Sequence, residues 1–387
     1  MQLLTKIRQA VQALATRHLT VFSDSIPYEF HDLPLRKVIN AVLTETSVYF
    51  KPQRPWGHPT HLMIEPSTLC NLRCTLCPIT TGLGRPQGLM DLGLFKKILD
   101  DAGPWAFTLL LWDWGEPFTN NQVFDMIAYA KTKGVKVISS SNGHLFSKPG
   151  MAEKLVRSGI DTIIFAIDGV TQKTYEQYRQ EGQLETALDG IRKVVAAKKA
   201  LGSNTPTVNF RFIVMAQNEH EIPLVRELAP SLGVDVLTFK TLNPNTLDLY
   251  GDCAAEGGAT GGTFVPQQVR YRRFKPGKGG DGQGDQRDKV RRRHNPCKQL
   301  WNNPCFHWNG NVGPCSCDPG DRHVLGNVAE RPFTEIWRGE NYRRARQTFR
   351  KDWSQLPLCS ECSYAYEGGS LNCETMAEAV FYPSFRR

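Results

Sequence analysis

Cys70-Asn-Leu-Arg-Cys74-Thr-Leu-Cys77 places three thiols within eight residues, separated by three and then two positions. Thiolates so close in one loop can each take one metal at adjacent corners of a small cluster. A single zinc ion wants a fourth ligand close by, and none is near: His61 lies before the loop and the next cysteine is Cys253. Three ligands alone leave an open coordination position, where a substrate or cosubstrate can bind, or call on a distant partner. Taken bare, the spacing also suits a structural metal knuckle. Cys297, Cys315 and the pair Cys359-Ser-Glu-Cys362 have the arithmetic of a four-thiolate site, for which a zinc ribbon and an iron–sulfur cluster compete. Cys305, Cys317 and Cys373 are left over, each a buried thiol or an alternative ligand.

The whole chain of 387 residues limits what these cysteines do. Eleven cysteines is an odd number, and all but Cys253 are clumped, which favours metal ligation over a disulfide framework. The first 19 residues read as an amphipathic helix without the compact apolar core of an export signal, so a cytoplasmic location is expected. No apolar run approaches the roughly 20 residues of a membrane span. The net charge of +9 is concentrated between Arg270 and Arg293, where ten Lys or Arg stand against three Asp. The rest of the chain is close to neutral, which argues against a general polyanion binder.

The elements that must position the first loop are legible between residues 59 and 241. Amphipathic helical patterns end at Gly103, Gly134, Gly159 and Gly233, and a short apolar strand follows each: Phe107–Trp112, Val135–Ile138, Thr162–Ile167 and Val234–Phe239. Glycine relieves the left-handed backbone just past a helix, and short apolar runs suit strands buried on both faces. With His61–Glu65 in front and Val208–Val214 between, about six β/α units are expected, as a parallel barrel or a doubly wound open sheet. Chemistry belongs at the C-terminal strand ends. Those ends are polar: Glu65, Asp113-Trp-Gly-Glu-Pro117, Ser139 to Gly143, Asp168-Gly169 and Gln217-Asn218.

The cysteine loop, placed after the first strand and followed by Pro78, resembles the signature loop of the radical S-adenosylmethionine superfamily. Trp114-Gly-Glu-Pro117 resembles that family's Gly-Gly-Glu-Pro motif, with Trp114 in place of the first Gly. Ser140 to Gly143 and Phe165-Ala-Ile-Asp-Gly169, with Tyr175 and Tyr178-Arg179, resemble its third- and fourth-strand elements. The resemblance implies a partial (β/α)6 TIM-like barrel and a 4Fe–4S cluster on Cys70, Cys74 and Cys77. S-adenosyl-L-methionine would chelate the fourth iron and be cleaved reductively to a 5′-deoxyadenosyl radical that abstracts hydrogen from a substrate. By position, Gly115, Glu116 and Pro117 would address the methionine amino group. Ser141 and Asn142 would serve its ribose or carboxylate, Arg179 its carboxylate, and Asp168 the strand end or the adenosine side. Glu116 could instead cap the next helix, and Arg179 could be a solvated charge.

The tail resembles the SPASM/Twitch extension of such enzymes, including Gly326-Asn327 before Glu335-Ile-Trp337. It implies a small cysteine-rich iron–sulfur domain with an auxiliary 4Fe–4S cluster on Cys297, Cys315, Cys359 and Cys362, used for electron transfer. Gly368 stands where a further cluster would need cysteine. The expected organisation is an N-terminal helical extension (1–57), the core barrel (58–245), a Gly-rich basic linker or insertion (246–295) and the auxiliary-cluster domain (296–387). Two helical patterns without an obvious strand set in the extension tilt the substrate toward a small molecule or lipid intermediate, with a peptide- or protein-modifying maturase as runner-up. An electron donor such as flavodoxin or ferredoxin is implied. A non-catalytic zinc or iron–sulfur protein that binds nucleic acid through the basic insertion is the reading from another class, but it leaves the Gly-Glu-Pro element without a purpose.

Overall fold

The computed structural model describes residues 10–242, 264–272, 295–362 and 376–385. Cys253, Cys373 and most of the basic segment 246–295 lie outside the described residues. Six strands run parallel in chain order: β3 (His61–Ile64), β4 (Thr108–Leu110), β5 (Lys136–Ser141), β6 (Thr162–Ala166), β7 (Thr207–Val214) and β8 (Val236–Thr241). Helices α2 (Leu92–Ala102), α3 (Val123–Thr132), α4 (Met151–Arg157), α5 (Leu184–Ala200) and α6 (Ile222–Ser231) connect them. Asp91 starts α2 as its sequence suggests, its carboxylate accepting from the backbone N–H groups of Gly93 and Leu94. The architecture is an α/β partial barrel with a cysteine-rich C-terminal unit.

That unit joins the core sheet directly. β9 (Cys305–Phe306) pairs in parallel with β3, then turns through Gly310 into β10 (Asn311–Gly313), which carries β11 (Gly326–Asn327). Helices α7 (Phe333–Arg338), α8 (Glu340–Asp352) and α9 (Pro357–Glu361) follow. At the opposite edge β12 (Met376–Phe381) pairs antiparallel with β8. Trp301, Phe306, Phe333 and Trp337 belong to the same apolar core as the barrel helices.

The N-terminal extension is helical over residues 10–16 and 35–50, where helical patterns are expected, and adds an unexpected strand hairpin between them. Before α1 (Leu35–Phe50), β1 (Leu19–Ser23) and β2 (Ile26–Phe30) form a hairpin, with Asp24 and Ser25 at positive φ in the turn. Strand side chains alternate between faces, and the two faces of the sheet have different partners. Leu62, Ile64, Leu109 and Ile163 face the helices, whereas Met63, Leu110, Ile138 and Ile164 pack with Val21, Ile26, Tyr28 and Phe30 of the hairpin. The hairpin therefore fills the helix-free face of the sheet. Tyr28 is tied to Thr162 at 2.8 Å, and Asp24 pairs with Arg211 of β7. Among the described residues no helix is long and apolar enough to cross a membrane.

Candidate functional site

The loop after β3 carries Cys70, Cys74 and Cys77 onto the wall of a cavity of about 300 Å³ at the C-terminal strand ends. The segment after β6 holds the loop down. Arg73 and Thr75 donate their backbone N–H groups to the carbonyls of Gln180 and Tyr178, at 3.1 and 3.0 Å. Leu72, Leu76 and Tyr178 form a small apolar cluster around Cys74. This is the structural use of Tyr178, which packs, as does Tyr175 in the main core.

Arg179 follows from the same clamp. Its Nη2 and Nε reach Asp168 Oδ2 at 2.6 and 2.7 Å, and its Nη1 approaches Cys74 Sγ at 3.6 Å. Against the cost of burial, Asp168 and Cys74 hold the guanidinium protonated. Asp168 also accepts from the backbone N–H of Ile213 at 2.8 Å, so it shapes the strand end and aims the arginine. Arg179 is not a solvated helix charge.

On the facing side, Gly115 sits at φ +86 and its Cα lies against the loop. A Cβ there would stand 2.5 Å from the carbonyl oxygen of Ser67, so only glycine lets this turn meet the cysteine loop. Glu116 is buried, and its carboxylate accepts from the backbone N–H of Asn142 at 2.9 Å and of Phe118 at 3.4 Å. Burial pushes its carboxyl up to about 7, against those N–H donors. The Glu116 side chain thus caps the turn at Pro117–Thr119 and ties it to the end of β5. Asn142 extends the tie by donating to Asn71 Oδ1 in the cysteine loop at 2.8 Å. Ser141 lines the same cavity, and its hydroxyl accepts from the Gly143 N–H. The structure brings Gly115, Glu116, Ser141, Asn142 and Arg179 onto the cavity with the three cysteines, while Pro117 and Asp168 stand behind it as supports. Asp24 and Arg211 also line the cavity, and Asn71 ties the cysteine loop to Asn142, although sequence patterns did not single them out; β7 carries Arg211, and only the hairpin brings Asp24 to it.

Geometry also bears on what the thiols can hold. Sulfurs on one zinc ion stand about 3.8 Å apart, given Zn–S bonds of about 2.3 Å in a tetrahedron. Only two described groups bring three ligand atoms within 4.8 Å of one another, and neither is drawn from the two cysteine sets. The first set is nevertheless mutually influential: burial, aided by neighbouring charge, pushes the Cys70 thiol up to about 11 and the Cys77 thiol up to about 12. At least one pair of thiols in the first set therefore stands beyond single-ion spacing, and three thiols facing one cavity fit the corners of an iron–sulfur cluster.

The second set is gathered by tertiary packing. A hydrogen bond with Cys317 pulls the Cys315 thiol down, but burial and the neighbouring Cys359 and Cys297 raise it to about 11. The Cys359 thiol is raised by burial and then by Cys297, Cys362 and Cys317. Cys297, Cys315, Cys359 and Cys362 are therefore one neighbourhood, with Cys317 beside it. Lys51, just past α1, enters that neighbourhood across the rings of Trp301 and Phe349 at 5.5 and 4.9 Å. Cys305 is elsewhere, buried beside Asp113.

Comparison with known proteins agrees with this layout. Residues 64–241 match the family model described as the radical SAM superfamily, and residues 297–363 match SPASM, an iron–sulfur cluster-binding domain. The chain is 24% identical over 333 residues to the tungsten-containing aldehyde ferredoxin oxidoreductase cofactor-modifying protein of Pyrococcus furiosus, covering 78% of this chain and 87% of that protein. It is 23% identical to an AdoMet-dependent heme synthase of Nitratidesulfovibrio vulgaris, covering 80% and 86%. In fold it is similar to Streptococcus suis SuiB bound to S-adenosylmethionine, with a TM-score of 0.56 at 14% identity, covering 95% of this chain and 83% of that one.

Proposed function

Because the chain belongs to the radical SAM superfamily and carries its SPASM iron–sulfur domain, we propose that it is an S-adenosylmethionine-cleaving enzyme that abstracts hydrogen from a small-molecule substrate. The observation that carries this reading is the meeting of Cys70, Cys74 and Cys77 with Arg179 and the Glu116–Asn142 tie around one cavity. Cys70, Cys74 and Cys77 would hold a 4Fe–4S cluster, which supplies the electron that splits the sulfonium to methionine and a 5′-deoxyadenosyl radical.

The protein's own groups do the positioning. Arg179, fixed by Asp168, would present the Nη1 side that faces Cys74 to the methionine carboxylate, which a guanidinium matches. The turn at Gly115 lies against the cysteine loop, and its backbone would face the methionine amino group. Ser141 and Asn142, held at the end of β5, would meet the ribose. Met63, Leu110, Trp112 and Trp114 give the cavity apolar wall against Asp24 and Arg211 on its hairpin side, a lining suited to a compact, partly charged organic molecule. The names of the two sequence relatives, one modifying a cofactor and one making heme, support a small-molecule substrate. Cys297, Cys315, Cys359 and Cys362 would hold an auxiliary cluster that takes the substrate's electron.

Anaerobic reconstitution with iron and sulfide, followed by reduction in the presence of S-adenosylmethionine, tests the reading. About eight irons per chain and release of 5′-deoxyadenosine are expected. Zinc in place of that iron, with no 5′-deoxyadenosine formed, would overturn it.

A further inference from the structure

Behind the cavity wall, where β9 meets β3, a second polar centre is built from residues that no step above uses. Asp113 follows β4, Cys305 opens β9, and His307 follows it; their ligand atoms all lie within 4.8 Å of one another. Cys305 Sγ is 3.2 Å from Asp113 Oδ2, and His307 Nε2 is 3.8 Å from the same oxygen. Cys305 and His307 are buried, and the Asp113 side chain is 4% exposed. His307 Nε2, itself wholly buried, has no hydrogen-bond partner although it points at this group. A buried donor or acceptor left without a partner is costly.

The surroundings hold the imidazole in place. Its other nitrogen, Nδ1, is bound by the carboxylate of Asp321, which also accepts from Asn309 and Asn311 at 3.2 and 2.8 Å. A carboxylate on the far nitrogen is the usual way a metal-binding histidine is oriented. Glu65 is engaged by Arg85 at 2.7 Å and by the backbone N–H of Trp308 at 3.2 Å, so it is not itself offered as a ligand and its charge is offset by the guanidinium. Around a tetrahedral zinc ion, an oxygen and a nitrogen ligand stand about 3.4 Å apart and an oxygen and a sulfur about 3.6 Å. The observed 3.8 and 3.2 Å straddle those values.

We propose that Asp113, Cys305 and His307 form a binding site for one divalent cation of the zinc type, separate from both cysteine sets. One oxygen, one sulfur and one nitrogen donor suit a borderline ion and leave a tetrahedral centre one open position. Asp113 lines the cavity, so that position is reachable by water or by an oxygen of a bound substrate. The other described group of three, His18, Glu29 and His31, lacks this character. It lies toward solvent, and His18 and Glu29 already satisfy each other at 2.6 Å.

The test uses the full chain with its iron–sulfur sites already loaded, so that added Zn²⁺ finds no vacant thiolates there. After equilibrium dialysis against micromolar Zn²⁺, elemental analysis should give about one zinc per chain, and zinc X-ray absorption a first shell with a single sulfur. Cys305→Ala and His307→Gln should each lower zinc retention at least about tenfold while leaving iron content and circular dichroism unchanged. Asp113→Asn, nearly isosteric, should weaken it less and guards against a folding failure of the other two. Absence of zinc in the loaded wild-type protein, a first shell of three or four sulfurs, or retention unaffected by Cys305→Ala would each overturn the proposal.

Discussion

The two sets of cysteines reach similar ends by opposite routes. Cys70, Cys74 and Cys77 come from one loop, and the barrel contributes the groups that face them. Cys297, Cys315, Cys359 and Cys362 are spread over more of the tail, coming from the segment before β9, the turn after β10 and the region of α9. The first set borders a cavity with a buried arginine beside it. The second lies near the rings of Trp301 and Phe349, which Lys51 covers as a nearby cation. A cluster that must meet a cosubstrate needs an open face, whereas one that only passes electrons gains from a fully ligated, shielded place. The proposed division of labour between initiation and electron handling would follow that difference in construction.

The largest expected effect separates the two most sharply. Replacing Cys70, Cys74 and Cys77 together by Ala should take 5′-deoxyadenosine formation to background and lower iron from about eight to about four per chain. Full cleavage by that variant would break the comparison. Cys359→Ser should cost a similar amount of iron yet leave S-adenosylmethionine cleavage measurable, now uncoupled from product. If cleavage instead disappears with the second cluster, the two regions do not divide the work as argued. A smaller change falls on Arg179→Lys, which keeps the charge but loses the fork that Asp168 aims. A charged hydrogen bond is worth about 1.5–3 kcal/mol, so the KM for S-adenosylmethionine should rise roughly ten- to a hundredfold. An unchanged iron content would show that the loop itself had not been disturbed.

How much could be read from the chain differs between the regions for the same reason. The first loop, the strand ends Gly115-Glu116 and Ser141-Asn142, and the helix stop at Gly134 are local signals, and the six parallel strands appear within a few residues of their expected bounds. The N-terminal hairpin was not legible as a hairpin. Pro27 interrupts its second strand, and its apolar side chains find partners only on Met63, Leu110, Ile138 and Ile164, far along the chain. Glu116 was legible as important, but its work is to cap and tie backbone, which spacing cannot distinguish from contact with a ligand. Asp113 and Cys305 are 192 residues apart, and only the parallel pairing of β9 with β3 brings them together. Lys51 carried no signal at all.

Lys51 offers the finest probe of the comparison because it touches one region alone. It follows α1 at φ 50, its ammonium is held by the backbone carbonyl of Asn295, and it lies over Trp301 and Phe349. Burial lowers its pKa, while Cys297 and Cys359 pull it back up, so the cation and those two thiols share one electrostatic neighbourhood. Net charge near an iron–sulfur cluster is one of the levers that sets its reduction potential. A neighbouring cation favours the more negative, reduced cluster, so its removal should make the auxiliary potential more negative. Lys51→Met keeps most of the stem that packs on the rings and deletes the charge. In a redox titration followed by electron paramagnetic resonance, the auxiliary signal should move to lower potential while the signal of the first cluster stays in place. The rate of S-adenosylmethionine cleavage should not change, because Arg179, not Lys51, is the cation beside the first loop. Movement of both signals together would mean that the two centres are coupled through the protein, and the division drawn between them would have to be redrawn as a single electrostatic unit.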